Sequence, residues 1–310
     1  MFATSAQAYP FQLPAVPDQG ELLGPFPPGT PEQLPRMRAR RLSLSLDRRL
    51  FYYEAGTATG PVALFIHGIG GWAENWLPSL APFEHFRCLI PDLPGFGRSS
   101  APERRTYQGL IADLLALLEA EGVEQCILVG NSLGGGMALR MALDQPKHFT
   151  HLVLATAAGI QKDIALPFRV GLLPGLGELA LSHFGPVFRA RWKVQFGNTE
   201  LCTPQFLDAL ARFSERHNCR DTYLGVLRHG SDFSGLLDVV TDELPQLRQP
   251  TLLCWGTADR VLSPRHALYA SRVMPKVSVE FFEGAGHYPH WEQPGHFNRL
   301  VREHLERWGF

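Results

Sequence analysis

Ser132 has a glycine two residues away on each side, in Gly130-Asn-Ser-Leu-Gly134. This G-x-S-x-G arrangement presents a serine hydroxyl at the tip of a strand–turn–helix, where bare Cα positions let the backbone turn sharply. The apolar run Ile127 to Val129 precedes it, and a helical run from Met137 to Leu143 follows Gly134 to Gly136. Such a hydroxyl attacks only when a base, an orienting acid and oxyanion donors surround it. Of twelve histidines, His287 is the expected base, because it sits in the glycine-framed loop Glu283-Gly-Ala-Gly-His287 directly after an apolar run. His290, in the same loop, is the fallback. Asp259, in Trp255-Gly-Thr-Ala-Asp259, completes the chain order Ser, Asp, His and is the expected acid. The same aspartate could instead cap the helix that begins near Pro264. Asp232 and Asp238 are secondary candidates. For the oxyanion the expected donors are the N–H groups of Leu133 and of Ile69, the latter in His67-Gly-Ile-Gly-Gly71. His67 is read as a brace for that loop.

Two other patterns bear on chemistry. Asp92-Leu-Pro-Gly-Phe-Gly-Arg-Ser99 lacks both the G-x-x-x-x-G-K-[ST] pattern and the third glycine of a dinucleotide loop. It reads as a tight structural turn beneath the site, so no nucleotide cofactor is expected. No His/Cys/Asp cluster has metal-ligand spacing, so no metal is expected either.

The elements that must position these residues follow from periodicity. Val62 to Ile66, Cys88 to Ile90, Cys126 to Val129, Leu152 to Leu154, Thr251 to Trp255 and Val277 to Phe282 are short, nearly continuous apolar runs. Runs of that kind suit strands covered on both faces of a parallel sheet. Helical patterns lie between them, the clearest from Leu110 to Glu121. The alternation predicts a doubly wound, mostly parallel α/β fold with its active loops at the carboxyl ends of the strands. Upstream, six arginines fall between Arg36 and Arg49, but Leu42, Leu44 and Leu46 alternate with polar residues. A half-buried strand is expected there, with Leu50 to Glu54 as its hairpin partner. From 159 to 247 the strands stop, and helical pieces (Leu176 to His183, Pro204 to His217, Asp221 to His229) predict an inserted helical cap. The expected division is a proline-rich arm at 1–35, a core at 36–158 and 248–310, and a cap at 159–247.

Composition narrows the setting. The 310 residues are 45% hydrophobic and 19% charged, with a net charge of -1, which suits a sizeable core and gives no reason to expect nucleic acid or an acidic membrane as partner. No apolar stretch is long enough to span a bilayer. The amino terminus has neither a basic region nor a long apolar one, so a cytoplasmic chain is expected, as a monomer or homodimer. Cys202 and Cys219 could pair, but an odd total of five cysteines favours reduced thiols.

Taken together, H-G-I-G-G at 67–71, D-L-P-G-F-G-R-S at 92–99, G-N-S-L-G-G at 130–135, D-R-V at 259–261 and G-H-Y-P-H-W-E-Q-P at 286–294 resemble the α/β-hydrolase family over residues 40–308. Within it the elbow and final loop are similar to those of carboxylesterases and meta-cleavage-product C–C hydrolases. The latter usually carry a longer glycine/proline-rich loop after H-G. Epoxide hydrolases and haloalkane dehalogenases use aspartate where this chain has Ser132. The resemblance implies a serine hydrolase, and the apolar cap points to a small hydrophobic ester as its substrate. Hydrolysis of a C–C bond is the alternative, with Arg140, Arg169, Arg189 or Arg191 as candidate partners of a substrate carboxylate. A non-catalytic binding protein on the same fold is the third reading.

Overall fold

Successive side chains of a strand point to opposite faces, and in this chain both faces are apolar. In the strand Val62–Ile66, Leu64 and Ile66 enter one core while Ala63 and Phe65 enter another. The structure, a computed structural model, describes residues 30, 37–181, 190, 192–214 and 219–310. The proline-rich arm, apart from Thr30, lies outside these residues, as do Arg36, Arg189 and Arg191.

The strands are β1 (Met37–Ser43), β2 (Arg49–Gly56), β3 (Val62–Ile66), β4 (Arg87–Pro91), β5 (Cys126–Asn131), β6 (Phe149–Ala155), β7 (Ser231–Asp232), β8 (Gly235–Leu236), β9 (Thr251–Gly256) and β10 (Val277–Phe282). Eight of them form one sheet in the order β1-β2-β4-β3-β5-β6-β9-β10. β2 runs antiparallel to both neighbours, and the pairs from β4 to β10 are parallel. The helices are α1 (Tyr107–Ala120), α2 (Leu133–Asp144), α3 (Leu166–Val170), α4 (Leu176–Ala180), α5 (Pro204–Ser214), α6 (Cys219–Gly230), α7 (Arg265–Val273), α8 (Pro289–Glu292) and α9 (Pro294–Arg307). One sheet face is covered by α1, α2 and α7, through residues such as Leu114, Met137 and Ala267. The other is covered by the short helical turns of 73–83 and by α9, through Trp76, Phe83, Phe297 and Val301. This is the doubly wound, mostly parallel arrangement that the apolar runs predict.

Between β6 and β9 the described residues add no strand to the large sheet. α3 to α6 lie there with a separate two-stranded hairpin, β7 with β8. The predicted helices at 176, 204 and 221 are present as α4, α5 and α6, but their predicted ends at His183 and His217 fall outside the described residues.

Two expectations fail. β1 ends at Ser43, and Leu46 is fully exposed in the bend that follows, so the alternation does not reach it. The bend is closed by the N–H groups of Leu44 and Ser45 on the Arg48 carbonyl, which satisfies the backbone without burying Leu46. Val277 to Phe282, read as a strand covered on both faces, is the sheet edge, and only Phe282 is fully buried. An apolar run does not distinguish an edge from a centre.

Candidate active site

The elbow is built by close approach of backbones. Ser132 holds φ 54° and ψ −118°, a left-handed conformation that costs a non-glycine residue roughly 1–3 kcal/mol and persists only where its surroundings enforce it. Three glycines enforce it. A methyl group on Gly134 would lie 2.1 Å from the Ile66 carbonyl oxygen, and one on Gly130 would lie 2.6 Å from that of Gly134. One on Gly135 would lie 2.7 Å from the Ala157 side chain. The Ser132 carbonyl accepts from the N–H groups of Gly136 and Ala158, at 3.1 and 2.9 Å, while its own N–H donates to Ala155 at 3.1 Å. Leu133 is the first residue of α2, where no carbonyl four residues earlier lies on the helix to meet its N–H.

Parallel register then aligns the strand ends. Ile66 pairs with Gly130, so the loop after β3 runs beside the elbow, and a methyl group on Gly68 would lie 3.1 Å from Ser132 Cβ. β9 pairs with β10, which sets the Asp259 and His287 loops side by side. Nδ1 of His287 lies 2.9 Å from Oδ2 of Asp259, with both side chains buried. The other carboxylate oxygen of Asp259 accepts from the N–H groups of Val261 (2.7 Å) and Leu262 (3.1 Å). Asp259 thus meets the histidine and closes the turn at 261–262, but it does not cap the helix that follows, whose N-cap residue Pro264 makes no side-chain cap bond. Asp232 instead organises the β7–β8 turn, and Asp238 accepts from Gln108 at 2.9 Å.

Ser132 and His287 face a common cleft of about 300 Å³, counted with the solvent at its mouth. Gly68 and Ile69 form one wall, and Phe168, Trp192, Tyr223 and Tyr288 supply an aromatic surround with Gln195. Among the described residues lining it there is no aspartate, glutamate, lysine or arginine. Arg140 is engaged by Glu243 and Asp144, and Arg169 donates to the Phe233 carbonyl at 2.8 Å.

His67 braces its loop as the sequence suggests. Its Nε2 accepts from the Leu93 N–H at 2.9 Å, so Nδ1 carries the hydrogen and donates to the Gly68 carbonyl at 2.8 Å. Burial lowers its pKa to about 4, which keeps the acceptor nitrogen free of a proton at neutral pH. The 92–99 turn is held by Arg98, which bonds Asp92 (2.7 Å) and Glu74 (2.6 Å) and lies 3.9 Å over the Phe51 ring. Asp92 also accepts from the Ala73 N–H at 2.6 Å, which ties this buried cluster to the Ile69 loop. His290 takes no part in the His–Asp contact. It is buried against Trp76 with ring centroids 4.8 Å apart, and burial, with a smaller contribution from His287, lowers its pKa to about 3.

Several residues at the site carry no sequence signal. Thr156, with φ 48°, donates through Oγ1 to the His287 carbonyl at 2.9 Å and accepts from Asn131 Nδ2 at 3.0 Å. The Gln195 carbonyl accepts the His287 N–H at 2.7 Å. Trp192 and Tyr288 stack at 6.0 Å, and Tyr288 and Trp291 at 4.2 Å. A threonine ordinarily reads as a strand residue, and contacts between residues 195 and 287 leave no periodic trace.

A sheet of this order with a strained serine after its central strand defines a class, and the chain belongs to it. Residues 61–294 match the α/β hydrolase fold family. Over 263 residues the chain is 31% identical to an uncharacterised protein of Mycobacterium tuberculosis, covering 80% of this chain and 76% of that one. It is 26% identical over 265 residues to a 2-hydroxy-6-oxo-6-phenylhexa-2,4-dienoate hydrolase of Burkholderia cepacia, covering 83% and 91%. Among solved structures, a carboxylesterase from Bacillus subtilis is similar with a TM-score of 0.72 at 21% identity, covering 87% and 92%. No described helix is long and apolar enough to cross a membrane.

Proposed function

We propose that the chain is a serine hydrolase that cleaves small, uncharged, hydrophobic carboxylic esters through an acyl-enzyme. His287 takes the Ser132 proton as Oγ attacks the ester carbonyl, and Asp259 holds the imidazole and stabilises the imidazolium. The N–H groups of Leu133 and Ile69 receive the oxyanion, where fixed donors in a water-poor site are worth most. The imidazolium then protonates the leaving alcohol, and water repeats the sequence to free the acid. Residues 159–247 serve as the cap that supplies the aromatic walls. The observation that carries this reading is the 2.9 Å contact between His287 and Asp259, with His287 and the strained Ser132 on one cleft.

The choice of a neutral ester rests on the lining, where no described residue offers a cation to a substrate carboxylate. The second reading, C–C bond hydrolysis, is favoured by the Burkholderia relative and would use the same triad. Five free, buried cysteines accord with a reducing, cytoplasmic setting.

Labelling with a fluorophosphonate and turnover of p-nitrophenyl esters of increasing acyl length test the proposal together. Labelling and turnover are expected in the native chain, and both vanish in Ser132→Ala. Labelling without turnover of any ester sinks the esterase reading and leaves the C–C one. Absence of labelling removes the enzyme readings and leaves a binding protein.

A further inference from the structure

Glu292 is half-buried, and what acts on its carboxylate is burial and backbone N–H groups. Its carboxylate is met by backbone N–H groups from two separate parts of the chain. Oε1 accepts from Gly286 at 2.7 Å, the residue immediately before the proposed base. Oε2 accepts from Gly197 at 2.9 Å and from Asn198 at 3.0 Å, both in the proposed cap. The two segments also touch directly. A methyl group on Gly197 would lie 1.8 Å from the Gly284 carbonyl oxygen, and one on Gly286 would lie 2.3 Å from that of Gln195. The next contact along is the His287 N–H on the Gln195 carbonyl, at 2.7 Å. Their separation is set by these backbone bonds, by the packing of Trp192 and Phe196 on Tyr288, and by the Glu292 carboxylate, which bonds both segments.

We propose that Glu292 is a positioning residue that clasps cap residues 197–198 to the loop carrying His287, so that the cap, through this carboxylate, sets where the base stands. The proposal rests on His287 being the base. A carboxylate is expensive to bury unless several donors surround it, and here backbone donors come from the two segments whose relative placement matters. Burial raises the Glu292 pKa, and the N–H groups pull it back. The clasp gives the cap a fixed end at 192–198, because Trp192 and Phe196 also pack on Tyr288.

Glu292→Gln is the informative variant. It keeps the shape, but its NH₂ group must face one of the two donor sets, so one end of the clasp opens. Glu292→Ala opens both. Val301→Ala, in the core on the far side of the sheet, serves as a destabilised control without a role at the site. Each is assayed well below its melting temperature for kcat, KM and the rate of fluorophosphonate labelling. A misplaced base slows every step in which Ser132 gives up its proton. In both Glu292 variants kcat and the labelling rate are expected to fall together, by about 10-fold to 100-fold, with Glu292→Ala the lower if it folds. Val301→Ala is expected to lose melting temperature and keep both rates. A folded Glu292→Gln with both rates within twofold of the native chain overturns the proposal and leaves the clasp purely structural. If the native chain neither labels nor turns over an ester, it is the reading of His287 that has failed. A native chain that is active alongside an unaffected Glu292→Gln shows that only the clasp has.

Discussion

His287 illustrates how one side chain is held from several directions. Asp259 meets its ring, Gln195 its N–H, and Thr156 its carbonyl. Losing the charge of the first should be far more serious than losing the hydroxyl of the last. Asp259→Asn is expected to lower kcat by about 10⁴-fold, because an amide cannot stabilise the imidazolium and favours the wrong tautomer. Thr156→Val keeps the branched shape and removes one hydrogen bond, so a fall of about fivefold to tenfold is expected, with Thr156→Ser close to the native rate. Steady-state kinetics on one p-nitrophenyl ester decides both. A loss in Thr156→Ser equal to that in Thr156→Val would show that the hydroxyl is not what matters. The conformation at Thr156, φ 48°, could not be anticipated from the residue, whose β-branch favours strands. Ser132 was legible because its conformation demands glycines around it, and glycines show in a sequence.

At the scale of elements, the strand–turn–helix at 126–144 works because β3, β5 and α2 meet without side chains between them. Gly134→Ala would drive a methyl group into the Ile66 carbonyl, and a backbone carbonyl within the sheet cannot move aside cheaply. A loss of about 3 kcal/mol is expected by denaturant titration, with labelling of Ser132 lost in any protein that remains folded. The hairpin of β1 and β2 offers the opposite test of alternation. Leu50 is wholly buried and Leu46 wholly exposed. Leu50→Ala should cost about 3 kcal/mol, and Leu46→Ser no more than about 0.5 kcal/mol. Equal effects would mean that the bend at 44–47 is packed in solution. The core strands could be read from their apolar runs, whereas the limits of β1 could not, because a polar–apolar alternation persists into a bend that is satisfied locally.

The whole molecule buries several histidines in neutral form. Burial lowers the pKa of His67 to about 4, and burial together with the nearby His151 lowers that of His304 to about 4. In the unfolded chain both would take a proton near the ordinary histidine value, about 6.5. The unfolded state therefore binds more protons between those limits, and stability is fully present above about pH 6.5 and drains away as pH falls toward 4. For His67 alone the loss is about 3 kcal/mol. Melting temperature should fall steeply over that window. His304→Phe, far from Ser132 on α9, should flatten the fall while leaving kcat at neutral pH unchanged. A melting temperature that is level between pH 6.5 and 4 would contradict the neutral, buried state of these rings.

By itself the sequence determined the class of sheet, the place of the elbow and the order in which Ser132, Asp259 and His287 occur. Each of these rests on local constraints: apolar runs on both faces, glycines where backbones touch, and polar residues just past strand ends. Tertiary structure alone decided that β10 lies at the sheet edge. It also assigned the contacts of Thr156, Gln195 and Glu292. Those outcomes depend on which strands become neighbours and which backbones come within hydrogen-bond reach, and such distances are set by the packing of segments far apart in the chain. The elbow could therefore be seen before the fold was known, while the cap-side contacts that hold its proposed base could not.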